Sequence, residues 1–183
     1  MVRSLRHHEK KLLKKVDFLN YRRENEAREQ KIIQRYCLQE RDDYKKYNGV
    51  CGKIMKLIEA LKQLDQDDPT RIELTDLLLE KLYLAGVVPL KQSLATAERV
   101  GVSSFARRRL AVIMTKMKMA PQIREAATFV EQGHVRVGVD IVTDPAYHIS
   151  RSMEDHVTWV DTSKIKRKVL RYNDKLDDYD ILN

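Results

Sequence analysis

The sequence has few of the residues that staple a chain together. Among 183 residues there are two cysteines, Cys37 and Cys51, too few for a disulfide framework or a cysteine-only zinc site. There is no CxxC pair, and His7, His8, His134, His148 and His156 do not form the HExxH spacing of a helical metal site, so no metal is expected. The thiols fit a reducing compartment. With six glycines and four prolines, neither a low-complexity linker nor a collagen-like chain is possible. No apolar run approaches the roughly 18 residues of a membrane span. Residues 1–15 are basic but lack an apolar core or cleavage site, so no secretory signal is expected. The glycine-rich dinucleotide and phosphate loops are both missing, and serine, histidine and aspartate are scattered without a nucleophile elbow. Catalytic residues and cofactors are therefore not expected.

What the chain does have is positive charge. Lys and Arg total 35 against 27 Asp and Glu, a net charge of +8, with 43% hydrophobic residues. Residues 1–66 hold 17 Lys/Arg and 10 Asp/Glu, a balance of +7, whereas residues 67–183 hold 18 and 17. Asp174, Asp177, Asp178 and Asp180 make the end of the chain acidic. A basic head on a balanced body points to a polyanionic partner, nucleic acid above all. Lys10, Lys11, Lys14 and Lys15 surround a short apolar face of Leu12, Leu13, Val16 and Leu19, a segment expected to order on its partner.

Periodicity predicts helices through the first third. Tyr44, Tyr47, Cys51, Ile54, Ile58 and Leu61 form one stripe at spacings of three and four. Gly49 and Gly52 lie within it, each costing about 1 kcal/mol relative to alanine, so a break is possible there. Asp68-Pro69 is a helix start. The helix it opens carries Leu74, Leu77, Leu78 and Leu82 and stops at Gly86. Residues 87–104 read as a connection between two lobes.

A sharper pattern follows. Ala106, Leu110, Ile113, Met114 and Met117 share one side of a predicted helix. On the same wheel Arg109 and Lys116 share an edge, Arg108 faces out, and Arg107 and Lys118 flank the opposite edge. Pro121 opens a second helix ending at Gly133. His134 to Val139 then alternates strictly, with Val135, Val137 and Val139 on one side and His134 and Arg136 on the other. Val157–Val160 is a further strand. The expected fold is α+β: a basic helical region over 1–66, a helix and connection over 67–106, a module of two helices and a small twisted sheet with a C-terminal helix over 107–172, and an acidic tail over 173–183.

Arg109-Leu110, the segment Pro121–Gln132, the strand Gly133-His134-Val135-Arg136-Val137 and the turn at Asp144-Pro145 together resemble the S4 RNA-binding domain, named after a ribosomal small-subunit protein. The blocks His7-His8-Glu9, Lys11 to Leu19, Met153 to Asp161 and Ser163 to Lys166 extend the likeness to the S4-domain proteins of the U3 small nucleolar ribonucleoprotein. That resemblance implies a nucleolar, non-enzymatic factor that helps U3 RNA pair with precursor ribosomal RNA for small-subunit processing. It also implies a protein scaffold, the M-phase phosphoprotein of the same particle. Two alternatives stay open: a mature ribosomal protein of the S4 family, or an accessory RNA-binding domain of an RNA-modifying enzyme.

The predicted RNA contacts are Arg107, Arg108, Arg109, Lys116, Lys118, Arg124, His134 and Arg136, with Lys10, Lys11, Lys14 and Lys15 as a second group. Arginine forks match phosphate oxygens bidentately. Three arginines at a helix start oppose the helix dipole, which weakens a purely structural explanation. Where the S4 family opens its second helix with Ser-Arg-Arg, this chain has Gln122-Ile123-Arg124 instead. Arg136 could pair with a neighbouring acid instead, and His134 could be a hydrogen-bonded turn residue.

Overall fold

A computed structural model describes residues 3–16 and 27–175. Leu19 and the tail acids Asp177, Asp178 and Asp180 lie outside the described residues. The chain is α+β, with a helical lobe followed by a smaller mixed lobe.

Helix α1 (His7–Lys15) opens with Arg6 N–H donating to the Glu9 carboxylate at 2.8 Å and buries no residue. The helical lobe then comprises α2 (Ala27–Tyr36), α3 (Arg41–Gln63), α4 (Pro69–Leu84), α5 (Leu94–Glu98) and α6 (Val102–Ala106). Helix α3 runs unbroken through Gly49 and Gly52, both solvent-facing with open space around them. The burial of Cys51, Ile54, Ile58 and Leu61 on the opposite side outweighs the glycine penalty. At the start of α4 the Asp68 carboxylate accepts from Thr70 N–H at 2.9 Å, and the acceptor bonds hold its pKa below the ordinary aspartate value. Residues 87–104 do not merely connect lobes. Val87, Val88, Ala97, Val100 and Val102 pack into the same core as α3 and α4.

The second lobe contains α7 (Leu110–Lys116), α8 (Ile123–Glu131), β1 (Val135–Val137), β2 (Asp140–Ile141), α9 (Arg151–Glu154), β3 (Val157–Trp159) and α10 (Lys164–Tyr172). Its sheet is antiparallel in the order β2-β1-β3, with Arg136 opposite Thr158 and Val137 opposite Val157. Val135 and Val137 face a core of Leu110, Ile113, Met114, Ala126, Val130, Ile149 and Val157, as alternation requires. Val139 departs from that pattern. Gly138 turns the chain at φ +64°, so Val139 sits at the hairpin tip, 93% exposed. Trp159 packs edge-on to Phe129 with centroids 5.8 Å apart. Between the two cores lies a small cluster of Tyr36, Leu38 and Ala106, against which Val112 of α7 also rests.

Candidate nucleic-acid interface

The helix predicted from Ala106 onward is interrupted. Helix α6 ends at Ala106, α7 begins at Leu110, and the three arginines form the turn between them. This corrects the expectation of one continuous helix with Arg108 facing out and Arg107 and Arg109 on its edges. Arg107 is exposed, its Nε donating to the Ser103 carbonyl at 3.1 Å. Arg108 and Arg109 are buried, 7% and 1% exposed.

The reason is that both have partners far away in sequence. Arg108 donates from Nε to the Ile149 carbonyl at 2.9 Å, from one terminal nitrogen to Glu154 at 2.8 Å and from the other to the Ser150 carbonyl at 3.0 Å. Gly86, at φ +72°, lies directly against it; a Cβ there would come within 2.6 Å of the Arg108 Nε. Arg109 pairs with Asp43 of α3 at 2.7 Å and reaches the Tyr47 hydroxyl at 3.5 Å. Its Nε is buried without a hydrogen-bond partner among the described residues. Backbone bonds reinforce these ties, with Leu110 N–H donating to Tyr147 and Ile149 N–H to Arg108, both at 2.9 Å. In this arrangement Arg109 pins the helical lobe to the turn, and Arg108 pins the turn to the segment before α9. Dipole physics at a helix start does not apply to them, because their charges are compensated by Asp43 and Glu154 rather than by solvent.

Beside this turn a cleft of about 270 Å³ is lined by Arg107, Arg108, Lys116, Arg151 and a single carboxylate, Glu154. Arg151 is absent from the sequence-based set. It donates to the carbonyls of Tyr83 and Val88 at 2.8 Å and lies 4.1 Å over the Tyr83 ring. Those partners are 68 and 63 residues away, so no local signal could have singled it out. The Lys116 ammonium bonds Glu154 at 2.6 Å; that bond, with help from Arg108, holds the Glu154 carboxyl below the ordinary value of 4.5. Four cations around one carboxylate leave a positive surface suited to phosphate.

The other predicted residues are dispersed. Lys118 is exposed, in the left-handed region at φ +61°. Arg124, exposed on α8, borders a different cleft shared with Cys37 and Gln39. His134 is half-buried, its Nδ1 3.2 Å from the Ser163 hydroxyl, which suits a turn residue more than a base reader. Arg136 bonds Asp161 at 2.6 Å and the Thr158 hydroxyl at 3.1 Å, and Lys166 shares that aspartate, so the two cations have one carboxylate between them. Lys10, Lys11, Lys14 and Lys15 are all exposed on α1. Helix α10 adds a basic element that motif reading passed over. Its nine residues, KIKRKVLRY, hold five cations and bury no side chain, a density that could have been counted from sequence.

A helical lobe clasped by arginines to a two-helix, three-strand module with a cationic cleft beside the clasp defines an S4-type protein. Family models divide the chain at the same turn: the ribosomal protein S4/S9 N-terminal domain matches residues 4–107 and the S4 domain matches residues 108–155. Over 181 residues the chain is 50% identical to the U3 small nucleolar ribonucleoprotein protein IMP3 of Saccharomyces cerevisiae, covering 98% of this chain and 99% of that protein. The Homo sapiens protein of the same name is also 50% identical, over 182 residues covering 99% of each. The small ribosomal subunit protein uS4 of Picrophilus torridus is 29% identical over 101 residues, 55% of each chain. The chain belongs to the IMP3 family of U3 small nucleolar ribonucleoprotein proteins.

Proposed function

We propose that this chain is a nucleolar RNA-binding assembly factor that promotes pairing of U3 small nucleolar RNA with precursor ribosomal RNA, and that it is not an enzyme. Membership of a family named for the U3 particle supports the particle, and the S4 domain supports RNA as ligand. In the particle the M-phase phosphoprotein scaffold would hold it in place. The observation carrying the pairing mechanism is that cations occupy separate elements: four exposed lysines on α1, and exposed Arg107 and Lys116 with half-buried Arg151 around the cleft. Two such surfaces can hold two polyanions together, raising their effective concentration and screening their repulsion. Lys118, Arg124 and the cations of α10 would add phosphate contacts away from the cleft, whereas Arg108 and Arg109 act by holding its walls.

The test is a fluorescence annealing assay with short U3 and precursor strands. Full-length protein should raise duplex rate, and the variant with Lys10, Lys11, Lys14 and Lys15 changed to Gln should lose most of the gain. No gain with the full-length protein would sink the reading; an undiminished gain with the variant would remove α1 as the second RNA surface. The likeness to an archaeal ribosomal protein keeps one other reading, a permanent ribosomal component. That reading requires the protein in translating polysomes, whereas an assembly factor sediments with large precursors and is absent from them.

A further inference from the structure

Helix α4 is apolar over more than one side, yet among the described residues only one apolar side is covered. Leu79 and Leu82 face the helical core and Leu78 packs beside them, while Ile72, Leu74, Leu77 and Leu84 are between 47% and 54% exposed. A helix with so broad an apolar arc is normally packed on more than one side. Leu74, Leu77 and Leu84 fall on one row at i, i+3 and i+10, with Lys81 between the last two. Glu73, Asp76 and Glu80, all exposed, form the adjacent row at i, i+3 and i+7. Residues 65–84 hold six Asp/Glu and two Lys/Arg in a chain whose net charge is +8. That local sign repels RNA, which separates this face from the cationic cleft and from α1.

We propose that this face of α4 docks an amphipathic helix of a partner protein. The partner's leucine-like side chains seat against Leu74, Leu77 and Leu84, and its Lys/Arg row lies along Glu73, Asp76 and Glu80. Charge complementarity selects the occupant: an acidic helix would meet three like charges along its length, and a neutral one would leave the acidic row without partners. Glu80 already pairs with Lys91 at 3.0 Å on the surface, an exposed bond that a stronger cation can displace. The proposal is independent of the pairing mechanism, since it concerns a protein ligand on a surface without cationic clustering.

The experiment places p-benzoylphenylalanine at position 77 of the full-length chain in cells, followed by irradiation and sequencing of the adduct. The expected result is one protein adduct, mapping to a segment with leucines at helical spacing and a row of Lys/Arg. Changing Glu73→Gln, Asp76→Asn and Glu80→Gln together should lower adduct yield about tenfold, the combined loss of three rim ion pairs, at unchanged melting temperature. Where that triple variant melts early, Asp76→Asn alone, which breaks no ion pair among the described residues, should lower the yield about twofold. An adduct with RNA, with a second copy of this chain or with an acidic segment overturns the proposal. So does an absent adduct, or a yield that neither variant changes.

Discussion

Two stretches of the chain are dense in cations, and the structure treats them in opposite ways. The four lysines of α1 stand in solvent on a helix that buries nothing, whereas two of the three arginines at 107–109 are sealed between lobes. The contrast shows that cation density alone does not locate an RNA surface. What decides is whether the fold brings a carboxylate and free carbonyls to the same place. Asp43, 66 residues upstream, and Glu154, 46 residues downstream, do so for Arg109 and Arg108. Among the described residues nothing comparable meets the α1 lysines.

The contrast can be broken by mutation, most forcefully at Asp43. Asp43→Ala should cost about 3–5 kcal/mol by stranding Arg109 as a buried unpaired charge, seen as a large drop in chemical-denaturation midpoint. Replacing both partners with apolar residues, Asp43→Leu with Arg109→Met, should recover most of that loss. Next in size, Arg108→Ala should cost about 2–3 kcal/mol by orphaning the Ile149 and Ser150 carbonyls and one contact of Glu154. The lysines of α1 should behave in the opposite sense. Changing all four to Gln should leave stability within about 0.5 kcal/mol and flatten the log-affinity salt slope on single-stranded RNA by about 2.8.

The smallest effect sharpens the comparison through pH. The folded Glu154 carboxyl sits below its ordinary value of 4.5, held there first by Lys116 and then by Arg108. Its contribution is therefore complete above about that ordinary value and is lost as pH falls through the lower folded value. Melting curves between neutral and acid pH should show wild type losing stability in that window and Glu154→Gln losing less.

Local features of the fold were legible in sequence where neighbours along the chain determine them. The Asp68-Pro69 cap, the α3 stripe and the β1 alternation each depend on contacts a few residues apart, and each formed. The alternation failed at Val139, which the turn at Gly138 carried away from the core side. The site was legible only in part. Arg107 and the α1 lysines are exposed as their surroundings suggested, but the burial of Arg108 and Arg109 depends on partners more than forty residues away. Arg151 was invisible for the same reason, since its acceptors are carbonyls in the last turn of α4 and just beyond it. A helical wheel continued through residues 107–109 assumed a helix where a tight turn stands. That single assumption turned two clasping arginines into a solvent face.

If one arginine of the three meets RNA and the other two hold the lobes, the salt dependence of RNA affinity separates them directly. Binding of a short single-stranded RNA is titrated across a range of salt for wild type, Arg107→Ala and the folded pair Asp43→Leu with Arg109→Met. Loss of Arg107 should flatten the log-affinity slope by about 0.7, and the apolar pair should leave it unchanged. An unaltered slope for Arg107→Ala, or a flattened one for the apolar pair, would contradict the account.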